Sequence, residues 1–334
     1  MRRRDVLKLA AYATGVMASQ WTQAQHVPGS STDHSAIPQG AKSPKIDAHI
    51  HLFDTSRPGG VPWPLKTDTA LYKPALPDRY RSVSASFDIV GAIAIEASYL
   101  PTDNDWLLGV AERSPIIVGV IGDLIPGAKT YHSELARLQA NSLFRGIRYG
   151  NLWGRDLFVD LNKPGFVEGL RDLEQADLVL EGANPDLRLL RALLNVSEKV
   201  AGLRIVVDHL PNAQVPNDPE SQQAFQALLH QLGQNQSVFV KLSEIPVVAH
   251  GKLVTSTAFY RDHLDALWEV FGEDRVLFGS DWPNSDHVAS FNDTLRIVEG
   301  YISQKSPQAA AMYYRKNSIR VYKWRARLPE QKNL

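Results

Sequence analysis

The segment Lys45-Ile46-Asp47-Ala48-His49-Ile50-His51 decides how the rest of the chain is interpreted. Its alternation of apolar and polar residues predicts a β-strand, in which successive side chains point to opposite faces. Asp47, His49 and His51 then share one face, and polar groups on a buried strand are costly unless they are hydrogen-bonded or bound to a ligand. Two imidazoles two residues apart lie about 7 Å apart along a strand. The segment predicts that His49 and His51 bind one divalent cation. The simpler alternative is a half-exposed strand whose histidines have no shared function.

Two later apolar segments end in residues of the same kind. Residues 203–209, Leu-Arg-Ile-Val-Val-Asp-His, end in His209, and residues 275–283 pass from Val-Leu-Phe into Gly-Ser-Asp-Trp-Pro, which contains Asp281. Parallel α/β barrels carry their chemistry at the carboxyl ends of the strands. We therefore expect His209 and Asp281 to lie beside His49 and His51.

Apolar strands alternate with amphipathic helices from Pro44 almost to the end of the chain. Near-continuous apolar strands of this kind are typical of a parallel sheet covered on both faces. Eight such units, without a Gly-x-Gly-x-x-Gly loop after the first strand, favour a single (β/α)8 TIM-type barrel over residues 44–334 with an extra C-terminal helix. The predicted strands are 45–51, 89–97, 116–123, 144–149, 177–181, 203–209, 237–243 and 275–281. The predicted helices are 104–113, 131–140, 165–175, 186–200, 224–232, 259–271, 291–302 and 309–325. The loop 54–77 is expected to cover the site.

The composition narrows the class of partner and of metal site. The chain has 334 residues, with 36 Lys plus Arg against 36 Asp plus Glu, so no overall field favours nucleic acid or an anionic membrane. It contains no cysteine, which excludes disulfides and thiolate ligands. A metal would be held by His and carboxylate, a donor set that suits zinc first and also manganese. We expect a small-molecule substrate, and the sequence leaves homo-oligomerisation open.

The first residues predict a targeting segment. Arg3-Arg4 is followed by one residue, an apolar pair and Lys8, a pattern that resembles the twin-arginine export signal. The apolar run after it is too short to span a bilayer. We expect a signal peptide over residues 1–24, a flexible Ser, Gly and Pro rich linker over 25–43, and a periplasmic mature protein without a membrane anchor.

Five motifs together resemble the amidohydrolase superfamily, and more narrowly its sugar-lactonase and muconolactone-hydrolase branch, with L-fuconolactonase-like and L-rhamnonolactonase-like enzymes. The similarity runs in the same order over Pro44 to Trp324, and the last motif is the most specific. The motifs are Asp47-Ala48-His49-Ile50-His51, Phe144-Arg145-Gly146-Ile147-Arg148, Val207-Asp208-His209, Val240-Lys241-Leu242-Ser243 and Phe278-Gly279-Ser280-Asp281-Trp282-Pro283.

The resemblance implies roles for several residues. His49 and His51 would bind a divalent metal, His209 would line the site, and Asp281 would be the general base or the last metal ligand. Binuclear members have a lysine at the end of the fourth strand and a histidine at the end of the fifth. Here Arg148 and Glu181 stand in those neighbourhoods, which leaves a mononuclear site or a metal-free variant.

The expected activity is a hydrolase that opens a small carbonyl substrate, such as a sugar lactone, with Asp281 accepting a proton from water. Arg148 is expected to bind the substrate because its planar fork holds carboxylates or hydroxyls. The further substrate-binding candidates are Glu96, Lys241 and Trp282. A metal-dependent decarboxylase of a small aromatic or unsaturated acid is the alternative enzyme. An exported binding protein without turnover is the alternative from another class.

Overall fold

A barrel of eight parallel strands forms the centre of the computed structural model, which describes residues 44–332 and residue 334. Each strand is hydrogen-bonded to the next in chain order, which confirms the predicted TIM-type fold. The strands are β1 (Lys45–His51), β2 (Ile89–Ile95), β3 (Ile117–Gly122), β4 (Phe144–Gly150), β5 (Val179–Ala183), β6 (Arg204–Val207), β7 (Val238–Leu242) and β8 (Val276–Phe278). The predicted signal segment 1–24 and linker 25–43 lie outside the described residues.

The seam between β8 and β1 closes just beyond the end of β8. Asp281 donates its backbone N–H to His49 O at 2.9 Å, and His51 donates to Trp282 O at 2.7 Å. Gly279 allows this close approach, since a Cβ built on it would lie only 2.8 Å from the Cβ of His49. The glycine of the Gly-Ser-Asp motif therefore lets the last strand bring Asp281 against the first.

A β-bulge in β1 overrides the predicted alternation of its side chains. Asp47 pairs with Ala92 and Ile50 with Ala94, so two residues of β1 stand opposite one residue of β2. Asp47 consequently faces the helix layer, where Tyr80 donates to it at 2.8 Å. His49 and His51 both point into the barrel. The prediction that Asp47 shares the face of the two histidines is wrong for this reason.

Helices surround the barrel, and some begin or end away from the predicted bounds. They are α1 (Pro77–Ser84), α2 (Asp103–Arg113), α3 (Tyr131–Gln139), α4 (Leu157–Asp160), α5 (Phe166–Gln175), α6 (Leu187–Lys199), α7 (Pro219–Gln234), α8 (Thr257–Phe271), α9 (Phe291–Ile302), α10 (Pro307–Ala311) and α11 (Asn317–Tyr322). The helices α1 and α4 were not predicted. Helix α7 starts five residues before the predicted 224, because Asp218 accepts from Ser221 N and Pro219 fits the first helical turn.

The C-terminal segment closes the amino-terminal end of the barrel. A five-residue π-helical stretch, Met312–Lys316, joins α10 to α11, and the helix ends at Tyr322 rather than at the predicted Arg325. Val321, Tyr322 and Trp324 then pack in one cluster with inward-facing strand residues. A short antiparallel hairpin pairs Val248–Ala249 with Lys252–Leu253 beside the opposite end. In the described part of the chain, no helix combines the length and apolarity needed to cross a bilayer.

Candidate active site

Four side chains from three parts of the chain meet at the carboxyl end of the barrel. The Nε2 atoms of His49 and His51 are 3.2 Å apart. Asp281 Oδ1 lies 3.3 Å from Nε2 of His51, 3.6 Å from that of His49 and 3.8 Å from that of His209. All four residues are at most 5% exposed. The structure thus brings together the two predicted metal histidines and both predicted catalytic residues.

The oxygen at the centre of this group has no hydrogen-bond partner among the described residues. Its neighbour Asp281 Oδ2 accepts from Asn284 Nδ2 at 2.7 Å, which fixes the carboxylate and leaves Oδ1 facing the imidazoles. Zinc ligands bonded at about 2.0–2.1 Å in a tetrahedron lie roughly 3.4 Å from each other. The distances among His49, His51 and Asp281 match that spacing, so these residues fit a divalent metal. His49, His209 and Asp281 also lie close enough together to hold one.

Each histidine is oriented through its Nδ1 atom, so that Nε2 is directed at the common centre. His51 Nδ1 donates to the carbonyl of Ile95 at 3.2 Å, and its Nε2 atom faces Asp281 Oδ1. His209 Nδ1 lies 2.8 Å from Ser243 Oγ. Outer contacts of this kind fix the ring and its tautomer in metal sites. Burial lowers the pKa of His49 and of His209, which favours the neutral form of both rings.

Left-handed backbone at three successive strand ends turns side chains toward this centre. His209, Glu244 and Asp281 follow β6, β7 and β8 and have φ angles of 50°, 51° and 57°. Residues other than glycine rarely adopt this left-handed backbone conformation. It costs of order 1–3 kcal/mol per residue, and residues that adopt it cluster at functional sites. Three of the nine left-handed non-glycine residues of the described chain therefore lie beside this group of polar side chains.

A second buried cluster lies directly beneath the first and is organised by Lys241. Its ammonium is 2.8 Å from Glu181 Oε2 and 3.0 Å from both Asp208 Oδ1 and His49 Nδ1. His49, Glu181 and Asp208 lie close enough together to hold a metal, but the ammonium of Lys241 already supplies the cation there. Lys241 is fully buried. The structure therefore places this predicted substrate-binding residue behind His49 rather than at the mouth, the solvent-facing opening at the carboxyl end of the barrel.

The charges of this lower cluster shift the pKa values of its members in opposite directions. Burial alone would raise the pKa of Asp208, but Lys241 and the neighbouring imidazoles together lower it well below its usual range. Burial and the proximity of Asp208 raise the pKa of Glu181. The prediction that Glu181 ends its strand is wrong, since β5 continues to Ala183 and Glu181 points into the barrel interior.

Arg148 and Glu96 form a buried pair on the opposite side of the mouth. Arg148 Nε donates to Glu96 Oε1 at 3.0 Å and Nη2 donates to Glu96 O at 2.9 Å, while Nη1 lies 3.9 Å from Asp208 Oδ2. Trp153 Nε1 donates to Glu96 Oε2 at 2.9 Å, and Tyr99 packs on Trp153 with ring centroids 5.6 Å apart. Glu96 engages most of the fork that was expected to bind substrate, so only Nη1 remains directed at the site.

Two tryptophans take different places. Trp282 is fully buried, with its ring 5.3 Å from that of Tyr80 and beneath Arg79, so the structure places this predicted substrate-binding residue in the core. Trp63, in the loop 54–77, packs edge-on against His51 with centroids 5.5 Å apart. The loop therefore reaches the site that it was expected to cover.

Sequence reasoning missed Asp208 and Glu244. The predicted strand continues to His209, and only its last residue is assigned to the site. In the structure β6 ends at Val207 and the left-handed His209 turns the chain. Alternation along β6 from Val206 would have placed Asp208 inward. Glu244 directly follows Ser243, and no periodicity indicated that its backbone turns toward the mouth.

A parallel barrel with an imidazole and carboxylate cluster at its carboxyl end, able to hold a divalent metal, is the arrangement of a barrel hydrolase. A profile of the family described as Amidohydrolase matches residues 46–324, and the chain belongs to this family. It is a hydrolase, and the predicted membership of the amidohydrolase superfamily is confirmed.

Two curated relatives are each named L-fucono-1,5-lactonase. That of Burkholderia ambifaria is 29% identical over 255 residues, which cover 75% of this chain and 83% of the relative. That of Burkholderia multivorans is 25% identical over 272 residues, or 78% of this chain and 89% of the relative.

Solved structures at lower identity share the fold. An amidohydrolase of Burkholderia multivorans with bound zinc is 22% identical, with a TM-score of 0.73 over 85% of this chain and 100% of that one. A 5-carboxyvanillate decarboxylase of Sphingomonas paucimobilis is 12% identical, with a TM-score of 0.58 over 84% of this chain and 99% of that one.

Proposed function

We propose that the protein hydrolyses a lactone of the sugar type, with Asp281 as the general base. The observation that carries this proposal is the buried Oδ1 atom of Asp281, which lacks a hydrogen-bond partner in the described chain and faces three imidazoles. A carboxylate oxygen left free in this way is positioned to accept a proton from a water molecule. The names of the two curated relatives support a lactone as the substrate.

The reaction then follows from the residues around Asp281. Asp281 takes a proton from water while the water oxygen bonds to the lactone carbonyl carbon, and the carbonyl oxygen becomes an oxyanion. The positive charge of Arg148 Nη1, at the other side of the mouth, stabilises that oxyanion or a neighbouring hydroxyl. The ring C–O bond breaks next, and the Asp281 carboxyl returns its proton to the departing ring oxygen. The product is an open-chain hydroxy acid.

His49 and His51 would hold a divalent metal, proposed as zinc, together with Asp281. When bound, such an ion supplies positive charge that polarises a carbonyl or acidifies a water. Ser243 keeps His209 in place at the edge of the group, where its neutral ring orients the attacking water.

The charge of the mouth favours a neutral lactone over an acidic substrate. Glu96, Glu244 and Asp281 are acidic groups at the mouth, while the fork of Arg148 is mostly engaged by Glu96. A free carboxylate on the substrate would meet these acids with only Nη1 of Arg148 to bind it. This arrangement disfavours the decarboxylase alternative, whose substrate is an acid.

A panel of substrates separates the alternatives in a single preparation. We expect acid release from sugar 1,5- and 1,4-lactones, followed with a pH indicator, and no CO2 from aromatic or unsaturated acids. CO2 without acid release would replace the proposal with the decarboxylase. Lactone binding without turnover would leave the non-catalytic binding protein.

Metal binding has a readout that does not depend on activity. Protein freed of metal with a chelator should gain thermal stability on addition of zinc, because a ligand that binds only the native state stabilises it. His49→Ala should abolish that gain. An equal gain in the wild type and in His49→Ala would contradict the assignment.

Export to the periplasm belongs to the same proposal and is supported by the Arg3-Arg4 pattern. Fractionation of cells that express the full chain should find the wild type in the periplasm and the Arg3→Lys, Arg4→Lys variant in the cytoplasm.

A further inference from the structure

Glu244 is an acidic residue at the mouth to which the proposed reaction gives no role. It lies two residues beyond the end of β7 and shares the left-handed backbone of His209 and Asp281, at a φ of 51°. Its Oε1 atom is 3.9 Å from His209 Nε2. Three successive strands therefore end in strained residues whose side chains converge, and Glu244 is the one without a part in the chemistry.

Two amides hold the Glu244 carboxylate in a fixed orientation. Asn212 Nδ2 donates to Oε2 at 2.6 Å, and Asn284 Nδ2 donates to Oε1 at 3.3 Å. The same Asn284 nitrogen donates to Asp281 Oδ2 at 2.7 Å, so Glu244 is linked to the proposed base through a single side chain. A carboxylate oxygen accepts two hydrogen bonds, and each Glu244 oxygen therefore retains capacity for a ligand.

Glu244 is also the acid of the mouth that solvent reaches most easily. Its side chain is 20% exposed, whereas that of Glu96 is 4% exposed and that of Asp281 only 1%. A substrate whose carbonyl carbon approaches Asp281 would therefore place its ring substituents beside Glu244. Trp153 and Arg148 stand across the mouth, so the two sides of a bound ring meet different groups.

We propose that Glu244, held by Asn212 and Asn284, is a specificity-determining residue that binds the ring hydroxyls of the substrate. The inference rests on the proposed lactone hydrolysis and adds which part of the substrate, the ring hydroxyls, would contact Glu244. A carboxylate accepts hydrogen bonds from two neighbouring hydroxyls, and such charge-assisted bonds are stronger than neutral ones. A neutral, polyhydroxylated lactone satisfies Glu244, and a lactone without hydroxyls does not.

The test pairs two substrates with matched variants. D-Glucono-1,5-lactone carries ring hydroxyls, and δ-valerolactone is the same six-membered ring without them. Glu244→Gln should lower kcat/KM for the hydroxylated lactone about 10- to 100-fold, mainly through KM, because hydrogen bonds to a charged group are lost. It should change kcat/KM for δ-valerolactone less than about twofold. Glu198→Gln, an exposed residue of α6, is the matched control and should leave both values unchanged.

A conservative variant and a binding measurement make the result decisive. Glu244→Asp keeps the charge and should recover part of the loss on the hydroxylated lactone alone. Calorimetry with the corresponding sugar 1,5-lactam, which resists hydrolysis, should show the same loss of affinity in Glu244→Gln while thermal unfolding stays unchanged.

The outcomes separate this inference from the function on which it rests. An equal fall for both lactones, or an unchanged affinity for the lactam, would overturn the hydroxyl subsite while leaving lactone hydrolysis intact. A wild type that neither hydrolyses a lactone nor binds the lactam would overturn both.

Discussion

The two ends of the barrel use buried polar groups in different ways. At the amino-terminal end, Arg327 donates to the carbonyls of Ala111 and Ile117, and Trp324 donates to Ser318 Oγ at 3.2 Å while its ring fills the core. At the carboxyl end, Asp281 Oδ1 is buried without a hydrogen-bond partner in the described chain. The hydrogen bonds of Arg327 and Trp324 contribute stability at one end, whereas Asp281 Oδ1 at the other end is left free for a ligand. Substitutions at the two ends should therefore affect different measurements.

The largest expected effect is on catalysis at the carboxyl end. Asp281→Asn should reduce kcat for lactone hydrolysis about 10²- to 10⁴-fold, the usual contribution of a general base. The free energy of unfolding of the metal-free protein should stay equal or rise, because the Asp281 carboxylate is buried and its Oδ1 atom has no hydrogen-bond partner in the described chain. Steady-state kinetics and urea denaturation of the same samples check both parts. Loss of folding in this variant would contradict the contrast between the two ends.

At the opposite end the expected effect is on stability. Trp324→Ala should lower the free energy of unfolding by about 3–5 kcal/mol, because it removes a large side chain from a packed interior. Folded protein should retain its kcat within about twofold, since the residue lies at the amino-terminal end of the barrel, away from the site. Chemical denaturation gives the first quantity and the rate per native molecule gives the second. A fall of kcat without a loss of stability would contradict this prediction, because it would mean that Trp324 affects the site at the opposite end of the barrel.

Asp47 offers a pH-dependent contrast, since it shares β1 with the site but faces the helix layer. Burial raises its pKa to about 6, so the folded state binds a proton more tightly than the unfolded state does. The resulting stability is fully present below the ordinary pKa near 4 and is lost as the pH rises through about 6. Relative to Asp47→Asn, the wild type should therefore lose about 3 kcal/mol of unfolding free energy between pH 3.5 and pH 7. Urea denaturation across that range measures it, and a constant difference would refute the raised pKa.

The smallest effect is expected where the two ends are connected. Tyr322, at the amino-terminal end of the barrel, donates to Glu181 Oε1 at 2.5 Å. Glu181 in turn holds Lys241 beside His49. Tyr322→Phe should cost about 2 kcal/mol of stability, the scale of a hydrogen bond to a charged group. It should also shift the pH profile of kcat, which a purely structural loss would not do. Tyr301→Phe, on α9, serves as the control because the Tyr301 hydroxyl donates to a carboxylate, Asp265 Oδ1 at 2.8 Å, that is not part of the site.

The architecture could be predicted because its causes are local. Apolar runs such as that in β7 and helical periodicity such as that of Phe291–Ile302 specify strands and helices wherever they lie in the chain. The helix α1 and the early start of α7 are not predicted from the sequence. Each begins with a proline, Pro77 or Pro219, which also occurs in loops but fits the first turn of a helix. The site was predictable in its main members, since parallel strands deliver their carboxyl ends to one edge.

By itself the sequence determined that His49, His51, His209 and Asp281 stand at strand ends of one barrel, because strand order and polarity are written along the chain. Only the tertiary structure decided which way particular side chains point. A bulge turns Asp47 away from the site, and left-handed backbone turns Glu244 toward the mouth. These outcomes depend on register and on neighbours far apart in sequence, which side-chain alternation within a single strand does not encode.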